Sequence, residues 1–140
     1  MRIFLVIFLL FSGCSLKNAL KKDPLYEKTL TYTKRCQIVN SLETKALIDV
    51  VYLNPLYQDK FKNQAFLVGV YNDFNNTLEN VEFNLTIGGK KPIIKTSIPN
   101  FVLYKNFPFY NNWMKYYLVE ANSTDINFSS RHWGSCEITF

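Results

Sequence analysis

From Leu30 onward, apolar and polar positions alternate with a period of two. Leu30, Tyr32, Cys36 and Ile38 fall on one side of an extended segment, and Ala46, Ile48, Val50 and Tyr52 on the next, which Asn54-Pro55 stops. Phe66, Val68 and Val70 alternate in AFLVGVYND, and Val81, Phe83, Leu85 and Ile87 in NVEFNLTI. This period marks half-buried strands. Gly88-Gly89 predicts a tight hairpin into KPIIKTSI, where Pro92 suits an edge or a strand beginning. Met114 to Ala121 is a sixth run and Phe128 to Phe140 a seventh, with Asn- and Asp-rich loops between. A helical period is lacking beyond a single turn near Tyr57 to Lys62. About seven short antiparallel strands predict an all-β fold, a sandwich of two sheets.

The N-terminus follows another pattern. Arg2 is followed by nine apolar residues, Ile3 to Phe11. That is far below the ~20 needed to span a bilayer and within the ~7–15 of a signal-peptide core. Ser12 and Gly13 are small, and Cys14 follows. Phe11-Ser12-Gly13-Cys14 resembles the lipobox of bacterial lipoproteins, with Phe11 where Leu, Ile or Val is more usual. The resemblance implies cleavage before Cys14, acylation of its thiol and attachment to a lipid bilayer. Two or three acyl chains on one cysteine would hold the protein stably, since each buried CH₂ contributes about 0.8 kcal/mol. A plain secretory signal with an incidental cysteine, and a cytosolic protein with an apolar N-terminus, are the competing readings. Ser15 in place of an acid looks like the outer-membrane sorting signal of enteric lipoproteins. The expected organisation is a leader over 1–13, a lipidated tether over 14–26 and a β-sandwich domain over 27–140. Lys17, Lys21 and Lys22 either rest on lipid phosphates or belong to a solvated spacer.

Composition narrows the classes. At 48% apolar, the 140-residue chain can bury a core and forms one domain. The net charge of +5 is spread along the chain, without the dense basic block of a nucleic-acid binder. No nucleic-acid partner is expected.

Together, a lipobox and a strand-rich domain of this size are similar to the small bacterial lipoproteins that carry an immunoglobulin-like domain, a group with few assigned activities. The Cys-Trp-Cys spacing of antibody domains is absent. The resemblance implies that the first and last strands run side by side. Cys36-Gln37-Ile38 and Cys136-Glu137-Ile138 share a local frame, and export would place both thiols in an oxidising compartment. A Cys36–Cys136 bridge stapling the ends of the domain is therefore expected, with two buried reduced thiols as the alternative. Closing so long a loop stabilises by about 2–5 kcal/mol on a chain-entropy model. Neither metal nor cofactor is expected, since no second thiol or imidazole lies at ligand spacing.

His132 is the only histidine. There is no G-x-S-x-G elbow, HExxH or paired-carboxylate motif, so no catalytic residue is assigned and the chain is read as a non-enzyme.

Asn100 to Tyr117 holds eight aromatic residues in eighteen. They cannot all face one core. Either alternate rings fill the sandwich and the others brace a long connection, or some meet a partner. On the second reading Phe109, Tyr110 and Trp113 are the contacts, with Lys105 and Lys115 on the rim. In addition, Glu82-Phe83-Asn84-Leu85-Thr86 and Asp125-Ile126-Asn127-Phe128-Ser129 fit D/E-x-N-x-S/T. This resembles the acceptor sequence of bacterial N-glycosylation, with Asn127, expected in a loop, ahead of Asn84.

The leading expectation is an envelope lipoprotein presenting an immunoglobulin-like domain to a protein or glycan, as adhesin or envelope accessory. A passive structural subunit of an envelope complex is the alternative, and a small hydrolase with a scattered site the remote one.

Overall fold

The computed structural model describes residues 23–140. The leader, Cys14 and the tether as far as Lys22 lie outside the described residues. The elements run α1 (Pro24–Thr31), β1 (Thr33–Asn40), β2 (Glu43–Tyr52), β3 (Gln64–Asn72), β4 (Phe83–Ile87), β5 (Ile93–Lys95), β6 (Lys115–Ala121), β7 (Asp125–Ser130) and β8 (Gly134–Thr139).

Two antiparallel sheets form, one of order β1-β2-β3-β6-β5 and one of order β4-β7-β8. Strands β2 to β8 alone reproduce the constant-type immunoglobulin arrangement, ABED on one sheet and CFG on the other. Strand β1 is an addition on the outer edge of β2. The inner faces meet in a core that includes Ile48, Val50, Phe66, Val68, Leu85 and Val119, with Phe83 stacked on Phe128 at 5.4 Å. The alternation read from the sequence places these side chains inward.

Cys36 and Cys136 are joined, with Cα atoms 5.9 Å apart and 100 residues between them in sequence. The bridge crosses from β1 in one sheet to β8 in the other, so the first and last strands are neighbours across the sandwich rather than hydrogen-bonded partners. Lys34 reinforces the seam by donating to the carbonyl of Thr139.

The structure corrects four expectations. Leu30 and Tyr32 belong to α1 and its C-cap, not to the first strand. Asp23 caps that helix by accepting from the Leu25 N–H at 3.0 Å, and Pro24 occupies its first turn, where a missing N–H costs nothing. The segment from Phe128 is two strands, because Arg131–Trp133 turn and Gly134 takes φ 91°, giving eight strands among the described residues. Gly88-Gly89 do make a tight turn, with Ile87 N–H donating to the Lys90 carbonyl at 2.8 Å. The chain then leaves for the other sheet, where β5 pairs with β6, so no β4–β5 hairpin forms. Val81 lies before β4 and is 82% exposed.

Candidate functional site

The outer face of the five-stranded sheet is covered. Val51 and Leu53, with Ala65, Leu67 and Leu118, point away from the main core yet are buried. The β2–β3 and β5–β6 connections fold over them and supply Val102 and Phe107, backed by Tyr57, Phe61, Tyr104 and Phe109. The aromatic segment thus mainly builds a second core outside the sandwich; of its rings only Tyr117 enters the core between the sheets, where alternate rings were expected.

Beside that cover, register aligns Arg35, Asp49, Gly69 and Tyr116 across four strands. Asp49 is only 2% exposed, and Arg35 grips it through Nε at 2.6 Å and Nη2 at 2.8 Å. This bidentate pairing satisfies a carboxylate taken out of water. The hydrogen bond to Asp49 raises the Arg35 pKa, against the opposing effect of burial. Gly69 leaves room for the Tyr116 ring, since a Cβ there would stand 2.7 Å from Tyr116 Cε1.

Tyr116 anchors a cluster. Its ring stacks on Tyr110 at 5.3 Å and tilts against Tyr104 at 5.4 Å. Its hydroxyl accepts from the Asn111 N–H at 3.0 Å, and burial raises its pKa. The Tyr110 hydroxyl donates to Asn112 Oδ1 at 3.1 Å. These three tyrosines, both asparagines and Lys115 line an open cavity of about 310 Å³.

Trp113 follows directly and is 57% exposed, packed edge-on against Tyr71 at 5.5 Å. Its backbone is fixed on both sides. Asn76 Nδ2 donates to its carbonyl at 2.7 Å, and the next N–H, of Met114, donates to Asn111 Oδ1 at 2.9 Å. Asn76 also accepts from Asn72 N–H through Oδ1, and its carbonyl from the Tyr117 hydroxyl. A rigid frame therefore holds an indole face in solvent, among amides and hydroxyls suited to sugar or peptide groups.

Of the five residues expected to meet a partner, the structure brings Tyr110, Trp113 and Lys115 to one region. Phe109 is half-buried against Phe107 at 6.0 Å in the second core. Lys105 sits in the 3₁₀ turn Tyr104–Asn106 and, with Leu103 and Asn106, lines a neighbouring cavity that shares Ile98 and Tyr104 with the first. Tyr71, Asn76 and Asn111 were not anticipated. Their only signals were an aromatic on the outward phase of β3 and asparagines clustered in loops.

The outer face of the three-stranded sheet differs. Asn84, Ser129 and Ser135 form one row, and Thr86, Asn127 and Glu137 the next. Asn127 is in the central strand β7, not in a loop, and its amide donates to Glu137 Oε1 at 3.1 Å. Each asparagine faces the hydroxyl residue of the other tripeptide, Asn84 opposite Ser129 and Thr86 opposite Asn127, while Leu85 and Phe128 pair inside. A strand's own alternation, polar out and apolar in, generates both acceptor-like patterns.

Glu82 and His132 meet at the β7–β8 turn. Glu82 is 7% exposed; it accepts from the Ser130 hydroxyl and from the His132 N–H at 3.0 Å, and His132 Nδ1 lies 2.6 Å from Oε2. Burial pushes the Glu82 carboxyl up, and the bonds from Ser130 and His132 outweigh it, leaving the pKa below the usual carboxylate value. A nucleophilic triad needs the serine on the free imidazole nitrogen. Here Ser130 gives its proton to the acid, so the trio fastens a turn. Among the described residues, no group of three His, Cys, Asp or Glu is placed to hold a metal.

Comparison with known proteins gives no match: no family model, no curated protein and no solved structure aligns with the chain.

Proposed function

We propose that the chain is an envelope lipoprotein, acylated at Cys14 and held at the bacterial outer membrane, whose immunoglobulin-like domain binds a glycan or protein partner through the region around Trp113. The carrying observation is the exposed Trp113–Tyr71 pair on its asparagine-braced frame. Its position suits presentation. Val70 pairs with Lys115 at the end of the sheet where β6 begins, whereas Thr33 pairs with Val51 at the end where the N-terminal segment enters. Along β3 these two levels, Leu67 and Val70, are about 10 Å apart, and Trp113 lies two residues beyond Lys115 on the far side from Thr33. A module tethered through residues 14–22 would thus turn Trp113 away from the bilayer. The Cys36–Cys136 bridge supports an exported chain, since such bonds persist in oxidising compartments.

The structural-subunit alternative draws less support at β4, one edge available for strand addition. The Phe83 carbonyl already accepts from the Asn80 N–H at 2.9 Å, and Ile87 is taken by Lys90.

Binding is tested by probing glycan and envelope-protein arrays with the full-length chain, its Trp113→Ala variant and its Tyr110→Ala variant. Wild-type signal that falls at least tenfold in the folded Trp113→Ala variant is expected. Unchanged signal would remove this region from the contact.

A further inference from the structure

Two tight turns of the molecule place both central residues at positive φ. Gly88 and Gly89 take φ 58° and 72°, and Ser41 and Leu42 take φ 48° and 71°. In a two-residue hairpin this conformation favours Gly, Asn or Asp, because a side chain at positive φ crowds the following carbonyl. The chain uses glycine at one turn and a fully exposed leucine at the other. Leu42 gains no packing in return for its strain.

That turn joins β1 to β2. Strand β1 is also the one strand outside the complete immunoglobulin set, and it buries only Cys36 and Ile38. Besides the turn, the disulfide is its covalent hold on the body. A short, strained hinge beside a self-sufficient domain is the condition that favours strand exchange.

We propose that β1 is an exchangeable strand and that two copies of the chain dimerise by swapping it. With Asn40–Glu43 extended, each β1 pairs with the β2 of its partner. It makes there the contacts it makes in the monomer, including Arg35 on Asp49. Two strained turns are relieved per dimer. Cys36 of one copy closes on Cys136 of the other by the same chemistry as within one chain. The Cys36 thiolate attacks a Cys136 sulfur held as a mixed disulfide with a small thiol. The new S–S bond forms, and the small thiolate leaves. The mixed disulfide comes from an oxidised small-molecule disulfide, which is reduced in the process.

Full-length Cys36→Ser and Cys136→Ser chains are incubated separately and together in a glutathione redox buffer. They are then resolved without reductant, and the cross-linked peptides are sequenced by mass spectrometry. Neither variant can form the bridge alone. The mixture is expected to yield a covalent dimer joined Cys36 to Cys136. A mixture that remains monomeric, or whose dimers carry no Cys36–Cys136 link, would overturn the proposal. A second variant keeps both cysteines. Leu42→Gly relaxes the closed turn and is expected to lower the dimer fraction of the refolded wild-type chain by about tenfold for each turn closed. A wild-type chain without dimer, or an unchanged fraction in Leu42→Gly, would equally contradict it.

Discussion

The two sheets turn opposite kinds of surface outward. On β2, β3 and β6 the outward positions include Val51, Leu67 and Leu118, and loops rich in aromatics fold over them into a second core. On β4, β7 and β8 they are Asn84, Thr86, Asn127, Ser129 and Glu137, on strands that carry no loop-built core on that side. The inward phase is apolar in both sheets. The difference lies in the outward phase and in the connections: nineteen residues link β5 to β6, whereas three link β7 to β8. A continuous apolar run on a strand signals a second cover, and a clean alternation signals a bare polar face.

The largest expected effect separates these faces. Leu67→Ala, in the second core, should destabilise by about 2–5 kcal/mol in urea unfolding. Thr86→Ala, on the polar face, should stay within about 0.5 kcal/mol. Equal losses would erase the distinction between covered and bare faces.

Removing the bridge with Cys36→Ser and Cys136→Ser together should cost about 2–5 kcal/mol. Reductant should lower the wild-type midpoint toward that of the double variant and leave the variant unmoved. Gly69→Ala probes where the second core meets the Arg35–Asp49 row. Its methyl group would push on the Tyr116 ring, costing about 1–3 kcal/mol. In the Tyr116→Ala background the same change should cost less, and simple additivity would mean that the ring does not rest on the glycine.

Much of this arrangement was legible. The alternating runs located β1 to β4 and β6, and the paired Cys-polar-Ile frames anticipated the bridge. What failed was either too short or too distant to be encoded locally. Helix α1 has eight residues and buries only Thr29, so it shows no apolar stripe, and its one signal was the Asp23-Pro24 cap. The β7–β8 turn is built from Arg131, His132 and Trp133, bulky residues that resemble a strand until Glu82, fifty residues earlier, ties them down. The change of sheet after Gly88-Gly89 depends on which strand offers β5 a partner, and neighbouring residues do not carry that information. At the candidate site, Trp113 and Tyr110 were read from aromatic density. Their supports Asn76 and Tyr71 come from another loop and another strand, out of reach of spacing along the chain.

The smallest effect concerns acid. Glu82 has its folded-state pKa below the ordinary carboxylate value, so the stability it adds is present above that ordinary value, near pH ~4.3, and is lost as pH falls through the folded pKa. Glu82→Gln should lower stability at neutral pH and flatten the acid limb of the stability curve. An unchanged acid limb would mean that the carboxylate does not secure the turn.

The proposed anchoring of the module at a bilayer depends on one thiol. The most direct measurement is incorporation of an alkyne-tagged fatty acid into the full-length chain in a lipoprotein-processing bacterium, with mass spectrometry of the N-terminal peptide. The expected result is label on a mature chain beginning at acylated Cys14 and no label on Cys14→Ser. An unlabelled wild-type chain that keeps residues 1–13, or equal labelling of the two, would contradict it.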